Sequence, residues 1–168
     1  RFVNQFIEDE NGDVYVLGQN NFQKINFASG SPVVKSFFSF QTHYSACGIQ
    51  DPVNANKLWV GGRSEIYCYD KQTQRITFLS DTLEIKNVFY SAFTINKQIY
   101  FGYMNGLLKI DPSTGAFVKI NLPDVGNIRS ALVLNHNEVM LSSQFLGLIK
   151  FFPKTNKYEI IYNGKNEY

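Results

Sequence analysis

No stretch of this chain approaches the roughly 18 uninterrupted apolar residues that a membrane-spanning helix needs. Its first residues, Arg1-Phe2-Val3-Asn4-Gln5, show none of the regions of a signal peptide. Direct membrane insertion of this segment is not expected, whereas a secreted origin stays open, because a mature segment would have lost its leader. Missing too is any Lys/Arg run. The formal net charge of +2 is spread over 168 residues, so the counterion-release term behind nucleic-acid affinity has no footprint, and nucleic acid is not expected as a partner. Cysteine occurs only twice. In the strand assignment below, Cys47 and Cys68 sit in the first and third strands of one repeat, roughly 10 Å apart, too far for a disulfide. Both read as small buried apolar residues.

Catalytic motifs are equally scarce. There is no Gly-x-Ser-x-Gly elbow, no phosphate-cradling Gly-Lys-Ser/Thr loop and no Gly-rich dinucleotide fingerprint. His43 and His136 are isolated, whereas a zinc site needs three or four converging ligands. The acidic run Asp9-Glu10-Asn11-Gly12-Asp13 would need Gly at Val14 and Glu at Asn20 to serve as a calcium loop, so it reads as a solvated hairpin turn. The acids at Asp9, Asp70, Asp111 and Asp124 fall in turns, and nothing nominates the opposed carboxylate pair of a glycosidase. No cofactor, metal or catalytic residue is expected.

What is abundant is apolar and aromatic area, 44% and 15% of residues, against 18% charged. That balance belongs to a folded, sheet-rich domain. The sequence also repeats. Val14-Tyr15-Val16-Leu17-Gly18, Leu58-Trp59-Val60-Gly61-Gly62, Ile99-Tyr100-Phe101-Gly102 and Val139-Met140-Leu141-Ser142-Ser143 each form an aromatic or apolar strand ending in small residues. Gly18, Gly61, Gly102 and Ser143 are spaced by 43, 41 and 41 residues, within the range of propeller repeats. A following strand moves in step, as in Ile66-Tyr67-Cys68-Tyr69-Asp70 and Leu107-Leu108-Lys109-Ile110-Asp111-Pro112. Asn11-Gly12 and Asn96-Lys97 mark hairpins, Asn-Gly supplying the positive φ of a type I′ turn. Arg75–Leu79 and Ala116–Ile120 supply fourth strands. No 3.6-residue apolar period is sustained, so almost no helix is expected.

Four strands per period of about 41 residues make a β-propeller blade, and blades bury their faces by stacking on neighbours. The fold class expected is all-β, four blades at approximately residues 1–40, 41–82, 83–123 and 124–168, forming part of a larger propeller. Tyr15, Trp59, Tyr67, Tyr69 and Tyr100 are expected between sheets. Four blades curved as in a larger ring leave two faces exposed. Either they close tightly, or residues outside this chain complete the ring, or two copies pair head to tail. The last two are preferred. The ends suggest a fragment, since a strand begins at once and Tyr158–Tyr162 closes the last repeat with little tail.

The Asn-Gly turn of Ile7-Glu8-Asp9-Glu10-Asn11-Gly12, the aromatic strand ending in Gly, and Asp111-Pro112-Ser113-Thr114-Gly115 together resemble the two-component regulator propeller repeat. The resemblance covers essentially the whole chain. It implies a periplasmic segment of a hybrid two-component sensor kinase, sensing a ligand such as an oligosaccharide and signalling through dimer geometry. Met140-Leu141-Ser142-Ser143 departs from the Trp and Gly that the family prefers. A general protein-interaction propeller and part of a propeller enzyme with its catalytic residues elsewhere are the alternatives. Ligands of propellers meet loops between second and third strands and loops entering the next blade. The candidate ligand-binding residues are Tyr44, Arg63, Tyr90, Tyr103, Asn105, Arg129 and Gln144, whose side chains suit stacking and hydrogen bonding.

Overall fold

The computed structural model describes residues 3–27, 30–44, 47–79 and 84–162, and for residues 19, 20 and 38–44 the backbone alone. Every regular element described is a strand. The first sheet holds β1 (Val3–Glu8), β2 (Val14–Asn26) and β3 (Val33–Tyr44), and the second β4 (Cys47–Gln50), β5 (Lys57–Gly61), β6 (Ile66–Asp70) and β7 (Arg75–Phe78). The third holds β8 (Ser91–Ile95), β9 (Gln98–Tyr103), β10 (Gly106–Ile110) and β11 (Phe117–Asn121), the fourth β12 (Ile128–Asn135), β13 (Glu138–Ser143), β14 (Gly147–Phe152) and β15 (Lys157–Tyr162). Strands follow one another in chain order and antiparallel within each sheet. Residues Arg1–Val88 and Phe89–Tyr168 form two compact units of two sheets each.

The first sheet has three strands in name and four passes in fact. Residues 15 and 22 of a straight strand would lie about 23 Å apart, yet the rings of Tyr15 and Phe22 are 5.9 Å apart and stacked. Asn26 Nδ2 likewise donates to Asp13 Oδ1 at 2.7 Å. β2 therefore folds back on itself near Gln19-Asn20, and its arms 14–18 and 21–26 correspond to β5 and β6.

Two hairpin turns illustrate how the local chemistry differs. Asn96 and Lys97 both take positive φ (51° and 61°), the pair that a type I′ turn requires. The Asn11-Gly12 turn is not of that type. Asp9 N–H bonds to Asp13 O at 3.0 Å, leaving three loop residues, of which only Gly12 has positive φ (74°). The extra residue makes it the longer hairpin in which one glycine takes the left-handed position.

Register also corrects the repeat. Gly61 pairs with Cys47 and Gly102 with Ser91, but the residues in that place in the outer sheets are Leu17, opposite Gln5, and Ser142, opposite Ser130. Gly18 and Ser143 stand one step too far. In the fourth sheet the cause is a longer turn, since Ser143 pairs with Gly147 where Tyr103 pairs with Gly106.

Alternation gives each sheet two faces. In the first unit one apolar cluster joins Ile7, Tyr15, Leu17 and Phe22 to Leu58, Val60, Tyr67 and Tyr69. In the second, Phe93, Tyr100, Leu107 and Ile120 meet Val139, Leu141, Ile149 and Phe151. The same rule operates twice. The face of one sheet carrying the second-strand aromatic, here called leading, packs on the face of opposite parity, here called trailing, of the next sheet. The aromatics expected between sheets are all buried, and rings at these junctions take offset and edge-on arrangements, such as Phe93 on Tyr100 at 5.0 Å and Phe22 on Tyr69 at 5.3 Å. Burial raises the Tyr100 and Tyr69 hydroxyls to about 12, the neighbouring Asp70 adding to the effect on Tyr69. Both cysteines are free thiols, Cys47 buried and Cys68 only partly so.

First strands are also clasped across each junction. Gln5 Nε2 donates to Gly48 O at 2.9 Å while its Oε1 accepts from Gly48 N at 2.7 Å. Ser91, the residue in the same register, donates to Ile128 O at 3.0 Å.

Candidate functional site

The second unit builds a loop face from three segments. Turn Met104-Asn105 joins β9 to β10, turn Gln144–Leu146 joins β13 to β14, and Val125-Gly126-Asn127 leads into β12 between them. Asn105, at a positive φ of 58°, donates its N–H to Gly126 O at 2.9 Å and accepts Gly126 N–H on Oδ1 at 2.7 Å. Asparagine tolerates that backbone region because its short amide bonds locally. On the other side Gln144 N–H bonds to Asn127 O at 3.0 Å, Phe145 N–H to Val125 O at 3.2 Å, and Asn127 Nδ2 to Gln144 Oε1 at 2.5 Å. Buried Ser143 donates to Val125 O and accepts from Leu146 N–H. The connecting segment is thus held by main-chain bonds on both flanks, a rigid platform rather than a free loop.

Arg129 is the extra residue of a β-bulge, since Ile128 pairs with Ser143 and Ser130 already with Ser142. A bulge re-aims its side chain. Here it lays the Arg129 guanidinium over the Tyr90 ring, 4.1 Å from the centroid, a cation–π contact between residues in the same register of successive sheets. Among the described residues no carboxylate pairs with Arg129.

Five of the seven sequence candidates, Tyr90, Tyr103, Asn105, Arg129 and Gln144, lie in or beside these segments. Their rings are largely engaged. Tyr103 is half-buried, edge-on to Phe89 at 5.8 Å, and its ring lies over Gly106, where a Cβ would come within 2.6 Å. Burial raises its hydroxyl. Beside them Met104 and Phe145 stand 40% and 48% exposed; Phe145 rests on Gly126, where a Cβ would sit 2.8 Å from the ring. Gly126 has φ +73°, so both its conformation and its flatness are used. Sequence spacing did not single out Val125-Gly126, because its role depends on which turns flank it.

Arg63 belongs to the first unit, where it is exposed in the Arg63-Ser64 turn and bridges to Val88. Ser64, at φ 61°, donates to Asn87 O at 2.7 Å, repeating the bond from Asn105 to Gly126. Tyr44 ends β3, and its side chain lies outside the described residues.

The first unit holds a second polar cluster that the sequence did not signal. A cleft of about 430 Å³ is lined by Asp9, Asp13, Tyr15, Lys24, Asn56 and Lys71 among others. Lys71 Nζ lies 3.0 Å from Asp9 Oδ2, both side chains nearly buried, and 5.8 Å from the Tyr15 ring. Asp9 Oδ1 accepts the N–H groups of Asn11 and Asp13 at 2.9 and 3.1 Å, and Lys24 pairs with Asp13. Each charge has a partner of opposite sign within the cluster, so the acidic turn anchors one sheet to the next and its carboxylates are spent on the protein itself. Asp51 is spent within the second sheet, accepting from Trp59 Nε1 at 2.8 Å. Among the described residues no group of three or more His, Cys, Asp and Glu side chains could hold a metal ion, and no helix is long and apolar enough to cross a membrane.

No family model and no curated protein matches the sequence. The structure is similar to the WD40 repeats of RRP9 and to U3-55K, each with a TM-score of 0.76 at 9% identity, covering 95% of this chain and 51% of that one. The chain spans about half the length of these structures. At that identity the likeness shows the fold alone: the four antiparallel sheets are β-propeller blades.

Proposed function

We propose that this chain is a non-enzymatic recognition segment that binds a partner protein through the loop face of its second unit. The ligand would be an extended peptide that sets an acidic side chain beside apolar ones. The observation that carries this is the pair of exposed apolar side chains, Met104 and Phe145, held on a main-chain-bonded platform beside Arg129, which pairs with no carboxylate among the described residues. Rigid apolar anchors flanking a charge that awaits a partner are what a protein interface uses. Membership of a periplasmic sensor rests on the repeat resemblance, and would ask the same face to take an oligosaccharide. The geometry favours the peptide, because the Tyr90 ring already carries the guanidinium and Tyr103 is turned onto Gly106, leaving less open ring face for a sugar.

The test is to screen the chain against a random linear peptide library and a glycan array, with Arg129→Ala and Phe145→Ala in parallel. Peptides joining an acid to an apolar residue should be enriched, and each substitution should weaken them by roughly tenfold or more. Binding confined to glycans would replace the peptide reading by the sensor one. Peptide binding unaffected by both substitutions would remove this face from consideration.

A further inference from the structure

We infer that the leading face of the fourth blade is the docking surface for the trailing face of the first blade of a second copy of this chain, so that two copies associate head to tail. This does not depend on the recognition face above. In the free chain Leu132 on the fourth blade is 64% exposed, and Val3, Phe6 and Val34 on the first are 52%, 62% and 55% exposed. The described residues in the same places at the two blade junctions within the units are buried or half-buried.

The register shows why the two faces fit. Where the first blade meets the second, Ile7 and Leu17 bear on Gly48, whose Cβ, were there one, would lie 2.9 and 2.7 Å from their Cδ1 atoms. Leu132 occupies the place of Ile7, Ser142 that of Leu17, and Phe6 that of Gly48. Sizes have been exchanged. The large residue that Ser142 lacks on one face is supplied by Phe6 on the other, as a close-packed junction requires.

A second point of contact agrees. Gly102 makes room for Ile128, whose Cγ2 would lie 2.8 Å from a Cβ there. Ser142 is the small residue in the place of Gly102, and Val3 the β-branched residue in the place of Ile128. Ser130 stands where Ser91 donates to the next blade, and in the free chain its hydroxyl rests on Ser142 at 2.9 Å. Docking would turn it to the Val3 carbonyl. Each copy offers one face of each kind, and in the dimer inferred here the same contact is made twice.

Light scattering on the purified chain should give about twice 19.2 kDa. Leu132→Lys and Phe6→Glu should each weaken association by about a hundredfold or more, because each buries an unpaired charge twice per dimer. Both positions are exposed in the free chain, so circular dichroism of either variant should match the parent. Mixing the two variants should restore the dimer. The heterodimer has one unchanged contact and one in which the ammonium introduced at position 132 of the first variant faces the carboxylate introduced at position 6 of the second. A monomeric parent at all concentrations overturns the inference, as does a dimer untouched by both substitutions or variants that fail to rescue each other.

Discussion

Gly102→Ala tests the packing rule where it is most constrained. Gly102 lies in β9 and its φ is not in the left-handed region, so the backbone accepts any residue. On conformational grounds alone the substitution should stabilise the protein by about 0.5 kcal/mol, through lost freedom of the unfolded chain. The neighbours reverse the sign. The new Cβ would meet Ser91 Oγ and lie 2.8 and 2.9 Å from Cγ2 and Cβ of Ile128, a branched side chain with no rotation that moves its own Cβ. Overpacking of this kind costs about 1–3 kcal/mol. Displacing the buried Ser91 hydroxyl from Ile128 O adds about 1 kcal/mol.

The net expectation is a loss of about 1.5–3.5 kcal/mol, or roughly 3–14 °C in Tm for a chain of this size. Urea unfolding followed by far-ultraviolet circular dichroism, which reports the strands of both units, reads it. Gly115→Ala is the control, since Gly115 has φ +74° and nothing within 4 Å; its cost of about 1 kcal/mol is conformational only. Ile128→Ala in the Gly102→Ala background should recover part of the loss although Ile128→Ala alone destabilises, because the two sites share one space. A Gly102→Ala protein within about 0.5 kcal/mol of the parent, or strict additivity with Ile128→Ala, would refute the reasoning.

Other consequences follow from the polar and thiol groups. Burial pushes the Asp9 carboxyl up, but Lys71 and the N–H groups of Asn11 and Asp13 outweigh it and hold it below its ordinary value. Its stabilisation is therefore present above the unfolded carboxyl range near 4 and lost as pH falls through the lower folded value. Denaturation curves of the parent and Asp9→Asn should converge toward about pH 2, and curves a constant distance apart would show that the carboxylate is not the source. At neutral pH Asp9→Asn should cost about 2–4 kcal/mol by leaving Lys71 unpaired. Burial raises the Cys68 thiol to about 11 and the Cys47 thiol further, so a thiol reagent at about pH 8 should label the partly exposed Cys68 slowly and leave Cys47 unlabelled until urea unfolds the chain; rapid labelling of Cys47 in the native protein would contradict its burial. Asn105→Ala should lose about 1–3 kcal/mol from strain at positive φ and the uncapped Gly126 N–H, whereas Asn105→Gly should lose less than Asn105→Ala by thermal melting.

How much of this was legible in the sequence follows from what is local and what is not. Strand identity, the four-strand repeat and the interior aromatics Tyr15, Trp59 and Tyr100 depend on alternation and turn residues within some ten positions, and these could be read directly. The register of Gly18 and Ser143 could not. A single extra residue in the turn Gln144–Leu146 shifts the sequence spacing of β13 and β14 by one while their pairing stays that of β9 and β10, and a pattern of small residues looks the same one step along. Asn105 and Gln144 fall in the turns after β9 and β13, because hairpin turns name themselves, whereas Tyr103 ends β9 and Arg129 stands within β12. What those side chains do was not legible: the Arg129 bulge, the stack on Tyr90 and the platform at Val125-Gly126 arise only when successive sheets meet. The Lys71 and Asp9 pair, 62 residues apart, was hidden for the same reason.

That division explains why the end blades carry the sequence's apparent irregularities. Met140 replaces the aromatic of Tyr15, Trp59 and Tyr100, Ser142 replaces Gly61 and Gly102, and Phe6 stands where the inner trailing faces have Gly48 and Ala131. Taken one repeat at a time these are lapses from a pattern. Taken across a junction they are compensations, since a face needs a given total volume and not a given residue. A repeat motif sees only one side of each contact. The departures at Phe6 and Ser142, together with the exposed Leu132, are therefore the positions on which the proposed docking rests.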